Sequence, residues 1–360
     1  MIVVLFLVGN DGELYIGVGS NTNGGIPGEL TRNLLMRESY FSAAILVANI
    51  KKPNFNGFIT YSAPNDGNPI TGFGPNGVEV FASGTRNPYG VVLHSNGNVY
   101  ATDNGPNPGF GDMATGCGVG QVSPDVYDSD ELNLIERGKY YGHPNHKRAQ
   151  TDPRQCIWRG TSVPTSSENT AAIMKLRSST NGLIEYEASY FNGEMRGNLI
   201  ASKYKDGLYR IVLNPDGKSV AAYSNPAIEL SGDNGLAVTM SPNGNLIDAQ
   251  YDTNECSVHK PDEPPTTLLR IYSIFPRRGK VQGGSALSIY GTNFVSTVTI
   301  KIGGLDCSNV QWISSYFIKC TIPPSLNGTV GSRTIEMNKG SELATFVNGY
   351  KYILGRPTTI

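Results

Sequence analysis

Charge is scarce in this sequence. Only 16% of the 360 residues are Asp, Glu, Lys or Arg, and the formal net charge is -1. Long apolar runs are missing: none approaches the ~20 residues needed to cross a bilayer as a helix, so no membrane span is expected. Uninterrupted stretches free of chain-turners are also missing, because 43 Gly and 22 Pro are spread along the chain. That density excludes a helical bundle or coiled coil. No G-X-Y period supports collagen, and 39% apolar residues are too many for disorder. The five cysteines (Cys117, Cys156, Cys256, Cys307, Cys320) include no CxxC pair, which argues against a zinc site. Two disulfides with one thiol left over, or buried free thiols, are both compatible with their spacing. Met1–Val8 is apolar but has no basic residue before it and no small-residue cleavage site after it, so it reads as a strand rather than a signal peptide.

What the sequence has in quantity is turns. One phrase recurs: Asn10-Asp11-Gly12 before Leu14-Tyr15-Ile16, Asn96-Gly97 before Val99-Tyr100-Ala101, Asp216-Gly217, and Asn243-Gly244 before Leu246-Ile247. Asn-Gly or Asp-Gly between apolar segments signals a hairpin whose two turn residues both take positive φ. Repeated hairpins of this kind predict an all-β fold of propeller blades. Their irregular spacing requires insertions, and residues 105–130 and 145–180 have the Gly-, Pro- and Ser-rich texture of them. Residues 252–267 read as an acidic, proline-bearing linker. Beyond it, 268–353 alternates like one small β-sandwich, followed by a tail at 354–360. Charge divides at the same place: residues 1–267 carry 19 basic and 27 acidic groups, residues 268–360 carry 10 and 3.

The C-terminal segment resembles the IPT/TIG domain, an immunoglobulin-like sandwich. The resemblance lies in Ile274-Phe275-Pro276, Gly283-Gly284-Ser285, Gly291-Thr292-Asn293-Phe294, Ile302-Gly303-Gly304, Ile318-Lys319-Cys320, Ile322-Pro323-Pro324 and Asn348-Gly349-Tyr350. Gly283-Gly284 is expected to turn tightly and Phe294 to anchor the core. The resemblance implies a Cys307–Cys320 bridge, as in extracellular members. The excess of basic residues clusters only at Arg277, Arg278 and Lys280, too few for a nucleic-acid face; a solvated surface or weak contact with acidic glycans is expected instead. Asn327-Gly328-Thr329 is a glycosylation sequon.

Residues 1–251 carry the more specific motifs. Gly84-Thr85-Arg86-Asn87-Pro88-Tyr89-Gly90, Thr102-Asp103-Asn104-Gly105-Pro106-Asn107, Ser129-Asp130-Glu131-Leu132 and Tyr140-Tyr141-Gly142-His143-Pro144 follow one another. Together they resemble the soluble quinoprotein glucose/sorbosone dehydrogenases. That family is a six-bladed propeller using pyrroloquinoline quinone (PQQ) and calcium. The resemblance implies that Arg86, Asn87, Asn104, Asp130 and Lys205 hold PQQ and that Gly105, Pro106 and Glu131 serve calcium. A tricarboxylated quinone suits fixed cations and amide donors. The alternative for Arg86 is an inter-blade salt bridge, over which its place in the motif favours cofactor binding; Asp130 and Glu131 can equally be a turn acid and a hairpin cap. Three departures stand out. Asn104 stands where the bacterial members carry a longer amide, so its reach is shorter. No arginine occurs in Asp233–Val238, and no histidine precedes Leu14, where the family's general base lies. His94, His143, His146 and His259 are not at that position, so no catalytic residue is assigned.

The expected architecture is a partial six-bladed-type propeller at 1–251, incomplete at its front, joined to the sandwich. The function implied is oxidation of an aldose at its anomeric carbon, with this stretch of chain inactive alone. A non-catalytic extracellular propeller that binds glycan or protein, with the sandwich as spacer, is the alternative. Both readings place the protein outside the cell. Cys117 with Cys156 is the second disulfide expected, leaving Cys256 open.

Overall fold

The computed structural model describes residues 4–8, 12–21, 41–57, 77–106, 114–116, 119–122, 129–143, 169–177, 179–204, 207–224, 235–251, 253–261 and 266–354. Among these the regular elements are strands and two short 3-10 turns, Phe191–Gly193 and Leu326–Gly328. The protein is all-β, as the turn density predicts.

Four sheets are built from consecutive strands. The first is β1 (Val4–Val8), β2 (Glu13–Val18), β3 (Ala44–Asn49) and β4 (Val78–Ser83), paired in that order and antiparallel throughout. Val4–Val8 of the apolar start is therefore a strand, as expected, and Met1–Val3 lie outside the described residues. The second sheet holds β5 (Pro88–Leu93) and β6 (Val99–Asp103); its next excursion carries a small hairpin, β7 (Ala114–Gly116) and β8 (Val119–Val122). The chain then returns through β9 (Asp130–Ile135) and β10 (Met174–Leu176). The third sheet is β11 (Thr180–Tyr186), β12 (Asn198–Lys203), β13 (Gly207–Leu213) and β14 (Val220–Ser224). The fourth is β15 (Gly235–Met240), β16 (Leu246–Gln250) and β17 (Glu255–His259). The stretch expected to be a linker thus contributes a strand, because Glu255–His259 finds a free edge on β16.

The repeated turns form at the expected places with a different geometry. Gly97 and Gly244 have φ of 93° and 95°, but Asn96 and Asn243 are not in the left-handed region. His94 N–H donates to Asn98 O and Gly97 N–H to His94 O, both at 2.9 Å, and the Ser241–Asn245 turn repeats both bonds. This is the three-residue hairpin with a glycine bulge, which needs positive φ at one position only. Asn96 instead uses its side chain, its Oδ1 accepting the Asn98 N–H at 2.9 Å.

The second, third and fourth sheets meet along their first strands. A Cβ on Gly90 of β5 would lie 2.6 Å from Asn181 O and 2.7 Å from Leu183 N, both on β11. One on Gly182 of β11 would lie 2.8 Å from Val238 N on β15. Only glycine permits backbones this close. A hydroxyl one strand outward satisfies each glycine: Gly90 N–H donates to Thr102 Oγ1 and Gly182 N–H to Ser202 Oγ, both at 3.0 Å. This radial stacking of first strands is that of propeller blades. Val92, Tyr100, Leu132, Leu183, Leu199 and Ile211 fill the space between the second and third sheets.

The chain divides into two compact units. One comprises Met1–Glu185, Leu199–Val238 and Asp248–Glu255. The other comprises Tyr186–Asn198, Thr239–Ile247 and Cys256–Ile360. Within the second unit, the sandwich takes in more chain than its sequence texture suggests. Ser189 N–H donates to Tyr272 O at 2.7 Å, the Tyr186 hydroxyl donates to Gly244 O at 2.7 Å, and the Arg196 guanidinium lies 3.8 Å over the Phe346 ring.

The sandwich strands are β18 (Arg270–Phe275), β19 (Arg278–Lys280), β20 (Ala286–Thr292), β21 (Thr299–Ile302), β22 (Leu305–Asp306), β23 (Ser308–Ser314), β24 (Phe317–Thr321), β25 (Gly331–Lys339) and β26 (Glu342–Ile353). They form two sheets, β18-β20-β24-β23 and β19-β26-β25-β21-β22. Period-two alternation puts Leu287 and Ile289 inward to meet Ile335, Met337 and Phe346. Phe294 is buried in this core, and Gly283-Gly284 turns with φ of 66° and 82°, both as expected. Cys307 and Cys320 lie in the same core as free thiols, not as the expected disulfide. The Cys320 sulfur and burial push the Cys307 thiol far above its ordinary pKa. Cys117 and Cys156 lie outside the described residues.

Candidate functional site

The quoted motifs converge at one end of the second sheet. Residues 84–87 enter β5 while residues 104–106 leave β6, and the antiparallel pairing of these strands lays the two loops side by side. Gly84 (φ 81°) makes the first loop possible: a Cβ there would sit 2.5 Å from the Tyr140 ring and 2.9 Å from Gly142 N. Neighbouring segments tie the loop down through its backbone. Gly84 N–H donates to Ala43 O and His143 N–H to Gly84 O, both at 2.8 Å, and Ser20 N–H donates to Arg86 O at 2.7 Å.

Asp103, fully buried at the end of β6, organises the loop. Its carboxylate accepts the backbone N–H of Arg86 at 3.1 Å and of Asn87 at 2.7 Å. Pro88 next in sequence has no N–H to satisfy, so the strand can begin there. The Arg86 guanidinium donates to Asn104 O at 3.3 Å.

A chain of amides then fixes Asn87. Asn104 Nδ2 donates to Asp130 Oδ2 at 2.9 Å and to Thr180 O at 2.7 Å. Both partners are acceptors, so the Asn104 amide has one orientation and its Oδ1 must accept. It accepts Asn87 Nδ2 at 2.8 Å. Asn87 therefore turns its Oδ1 away, where it is buried with no hydrogen-bond partner. Thr85 Oγ1, two residues earlier, is likewise buried without a partner. Two orphaned oxygens on one four-residue loop call for a ligand donor, a cation or water.

The acids expected to serve cofactor and metal are used otherwise. Asp130 Oδ1 accepts Gly105 N–H at 2.9 Å, and Oδ2 accepts Thr180 N–H at 2.6 Å in addition to Asn104. It is buried and clamps three segments together. Glu131, next on the same strand, points to the opposite face, as strand alternation requires. There it meets Lys175 at 2.5 Å, its register partner on β10, and accepts Asn133 Nδ2 at 3.3 Å. The two carboxylates cannot share a ligand, and no group of three or more His, Cys, Asp or Glu able to hold a metal occurs among the described residues. Asn104 sits where the resemblance implies, yet its side chain acts on Asn87 and Asp130. Gly105 and Pro106 are buried beside it. Lys205 and His146 lie outside the described residues.

Sequence reasoning assigned no role to Asp103, Thr180 or Lys175. Asp103 stood inside a quoted motif. Thr180 and Lys175 belong to later segments with no local sign of their partners. His143 is buried beside Gly84, and burial raises the neighbouring phenol of Tyr141 well above its usual pKa.

Sheets stacked along their first strands, with a polar loop cradle at one end of the second sheet, define a propeller-type β-fold. The glucose/sorbosone dehydrogenase family model matches residues 58–247, more than half of the chain, and the chain belongs to that family. The IPT/TIG domain model matches residues 269–352. No curated protein matches the chain. Among solved structures, the PQQ-bound aldose sugar dehydrogenase of Streptomyces coelicolor is similar at 17% identity and a TM-score of 0.41, over 70% of this chain and 59% of that one. The chain thus spans less than two thirds of that enzyme's length. The PQQ domain of pyranose dehydrogenase from Coprinopsis cinerea is 12% identical with a TM-score of 0.39, over 68% and 66%. The TIG domain of human nuclear factor of activated T-cells, cytoplasmic 4, is 12% identical with a TM-score of 0.23, over 28% and 100%.

Proposed function

We propose that the propeller is a sugar-oxidising module of its family and holds PQQ, together with calcium, against the Gly84–Asn87 and Asn104–Pro106 loops. The observation that carries this reading is the cradle itself: a half-buried cation, an amide of fixed orientation and two buried oxygens without protein partners. The residues present fit such a group. Arg86 would take a carboxylate, and the second N–H of Asn87 Nδ2 a quinone oxygen. Asn87 Oδ1 and the Gly105 and Pro106 carbonyls are neutral hard oxygens of the kind calcium accepts, and the ligand's carboxylates would supply the balancing charge. Asp130 and Glu131 take no part in metal binding on this reading. Bound PQQ would supply a hydride acceptor for oxidation of an aldose at its anomeric carbon to a lactone. The chain's own contribution is positioning: Asp103, Asn104 and Asp130 hold Arg86 and Asn87 rigid before any ligand arrives. Lys205 is placed near the quinone by resemblance alone.

A second reading, sugar or glycan binding outside the cell without turnover, is favoured by one observation. Asp103, Asp130 and Glu131 spend their carboxylates on protein donors, and His94 Nδ1 accepts the Asn96 N–H at 3.1 Å. None of these four is poised to take a proton from a sugar hydroxyl. Separate titrations of PQQ with calcium and of an aldose panel into the protein distinguish the readings. PQQ binding supports the dehydrogenase module; sugar binding without PQQ binding supports the second reading.

A further inference from the structure

The sequence holds 32 asparagines, but only Asn327 opens an Asn-X-Ser/Thr triplet with X other than proline. The fold presents this one triplet on the surface of the sandwich. It occupies the 3-10 turn Leu326–Gly328 between β24 and β25, and Asn327, Gly328 and Thr329 are all exposed. Asn327 has φ 55° and ψ 23°, a left-handed conformation. Asparagine tolerates it better than most residues.

The turn holds itself together without the Asn327 side chain. Gly328 N–H donates to Ser325 O at 3.0 Å, Thr329 N–H to Leu326 O at 3.2 Å and Thr329 Oγ1 to Leu326 O at 2.8 Å; Ser325 Oγ donates to Thr329 O. Arg333 Nη2 donates to Thr329 Oγ1 at 2.6 Å and braces the turn from β25. The space around it is open: a Cβ on Gly328 would meet nothing within 4 Å. Leu326 and Val330 flank it, 54% and 51% exposed, in a position that a sugar face would cover. A bulky substituent on Asn327 Nδ2 would therefore break no hydrogen bond of the turn and could shield two apolar side chains.

We infer that Asn327 is an N-glycosylation site of this protein. The inference rests on the extracellular reading above, since the donor is a lipid-diphosphate-linked oligosaccharide of the secretory route. In the transfer, Asn327 Nδ2 bonds to the anomeric carbon of that oligosaccharide. The glycosidic C–O bond to phosphate breaks, the lipid diphosphate leaves with the bonding pair, and the Nδ2 proton passes to a base. Thr329 supplies the hydroxyl two residues on that defines the acceptor. The attached glycan is a solubilising surface group on the sandwich.

The test is translation of the full chain behind a cleavable leader in the presence of endoplasmic-reticulum microsomes, scoring the protease-protected fraction. One upward step in mass, reversed by an amidase that cleaves Asn-linked glycans and absent from Asn327→Gln and Thr329→Ala, is expected. Thr329→Ser, which keeps the hydroxyl, should retain the step. A protected chain of unmodified mass would overturn the inference, as would a step that survives Asn327→Gln. Because the leader supplies the route, either failure concerns the site and leaves the propeller reading untouched.

Discussion

Asp130→Asn is the most informative single change at the cradle, because it preserves shape and removes only charge and acceptor capacity. Among the described residues Asp130 accepts three donors: Gly105 N–H on one oxygen, Thr180 N–H and Asn104 Nδ2 on the other. An amide has one acceptor oxygen. The least costly rotamer keeps that oxygen toward Thr180 and Asn104 and turns its NH2 to Gly105 N–H, leaving two buried donor groups, that N–H and the new NH2, without acceptors. Each costs about 1–3 kcal/mol. The two surviving bonds lose their charge assistance and about half their strength, roughly another 1 kcal/mol together. A total near ~5 kcal/mol corresponds to a Tm drop of about 10–20 °C in a domain of this size. Thermal unfolding followed by circular dichroism measures it, and amide exchange locates it: Gly105 and Thr180 should lose protection while sandwich amides keep theirs. A variant that melts within about 1 °C of the parent, with both amides still protected, would show that Asp130 is not the clamp described.

Gly90→Ala should destabilise the propeller by about 3 kcal/mol or more, since its Cβ would lie within 3 Å of the β11 backbone; chemical denaturation reads this, and a neutral result would contradict the radial packing of blades. Maleimide labelling of the native protein at neutral pH should modify exposed Cys256 and spare Cys307 and Cys320, with Cys307 held as the unreactive thiol well above its ordinary pKa; rapid labelling of all three would refute the packed thiol pair. Burial pushes the Tyr352 phenol up from 10.0 to about 12, and its hydroxyl donates to Pro323 O at 2.7 Å. A raised folded-state pKa means the stability is present below the unfolded value and lost as pH climbs through the folded one. Sandwich stability should therefore fall between about pH 10 and 12, as read by phenolate absorbance against unfolding; a flat profile across that window would contradict it.

Local features were legible in the sequence. The hairpin glycines, the sandwich segment, the Gly283-Gly284 turn and the buried Phe294 all rest on signals a few residues long. The loops of the cradle were legible as motifs. The roles of their side chains were not, because each depends on a partner far along the chain. Thr180 meets Asp130 across 50 residues and Lys175 meets Glu131 across 44, and nothing near Asp130 announces that its oxygens are taken. The turns show the same limit in miniature: Asn-Gly marked the hairpins correctly, but loop length decided that glycine alone takes positive φ. Domain texture also ended too early, since Tyr186–Asn198 joins the sandwich unit through long-range contacts to Tyr272 and Phe346.

The central claim is that the Arg86–Asn87 cradle holds a carboxylated quinone. Calorimetric titration of PQQ with calcium into the full chain, beside Arg86→Met and Asn87→Leu, tests it most directly. The account predicts a dissociation constant below about 10 μM for the parent and at least tenfold weaker binding for each variant, a loss of about 1.4 kcal/mol or more. No heat of binding at that concentration, or binding that both variants retain in full, would contradict it.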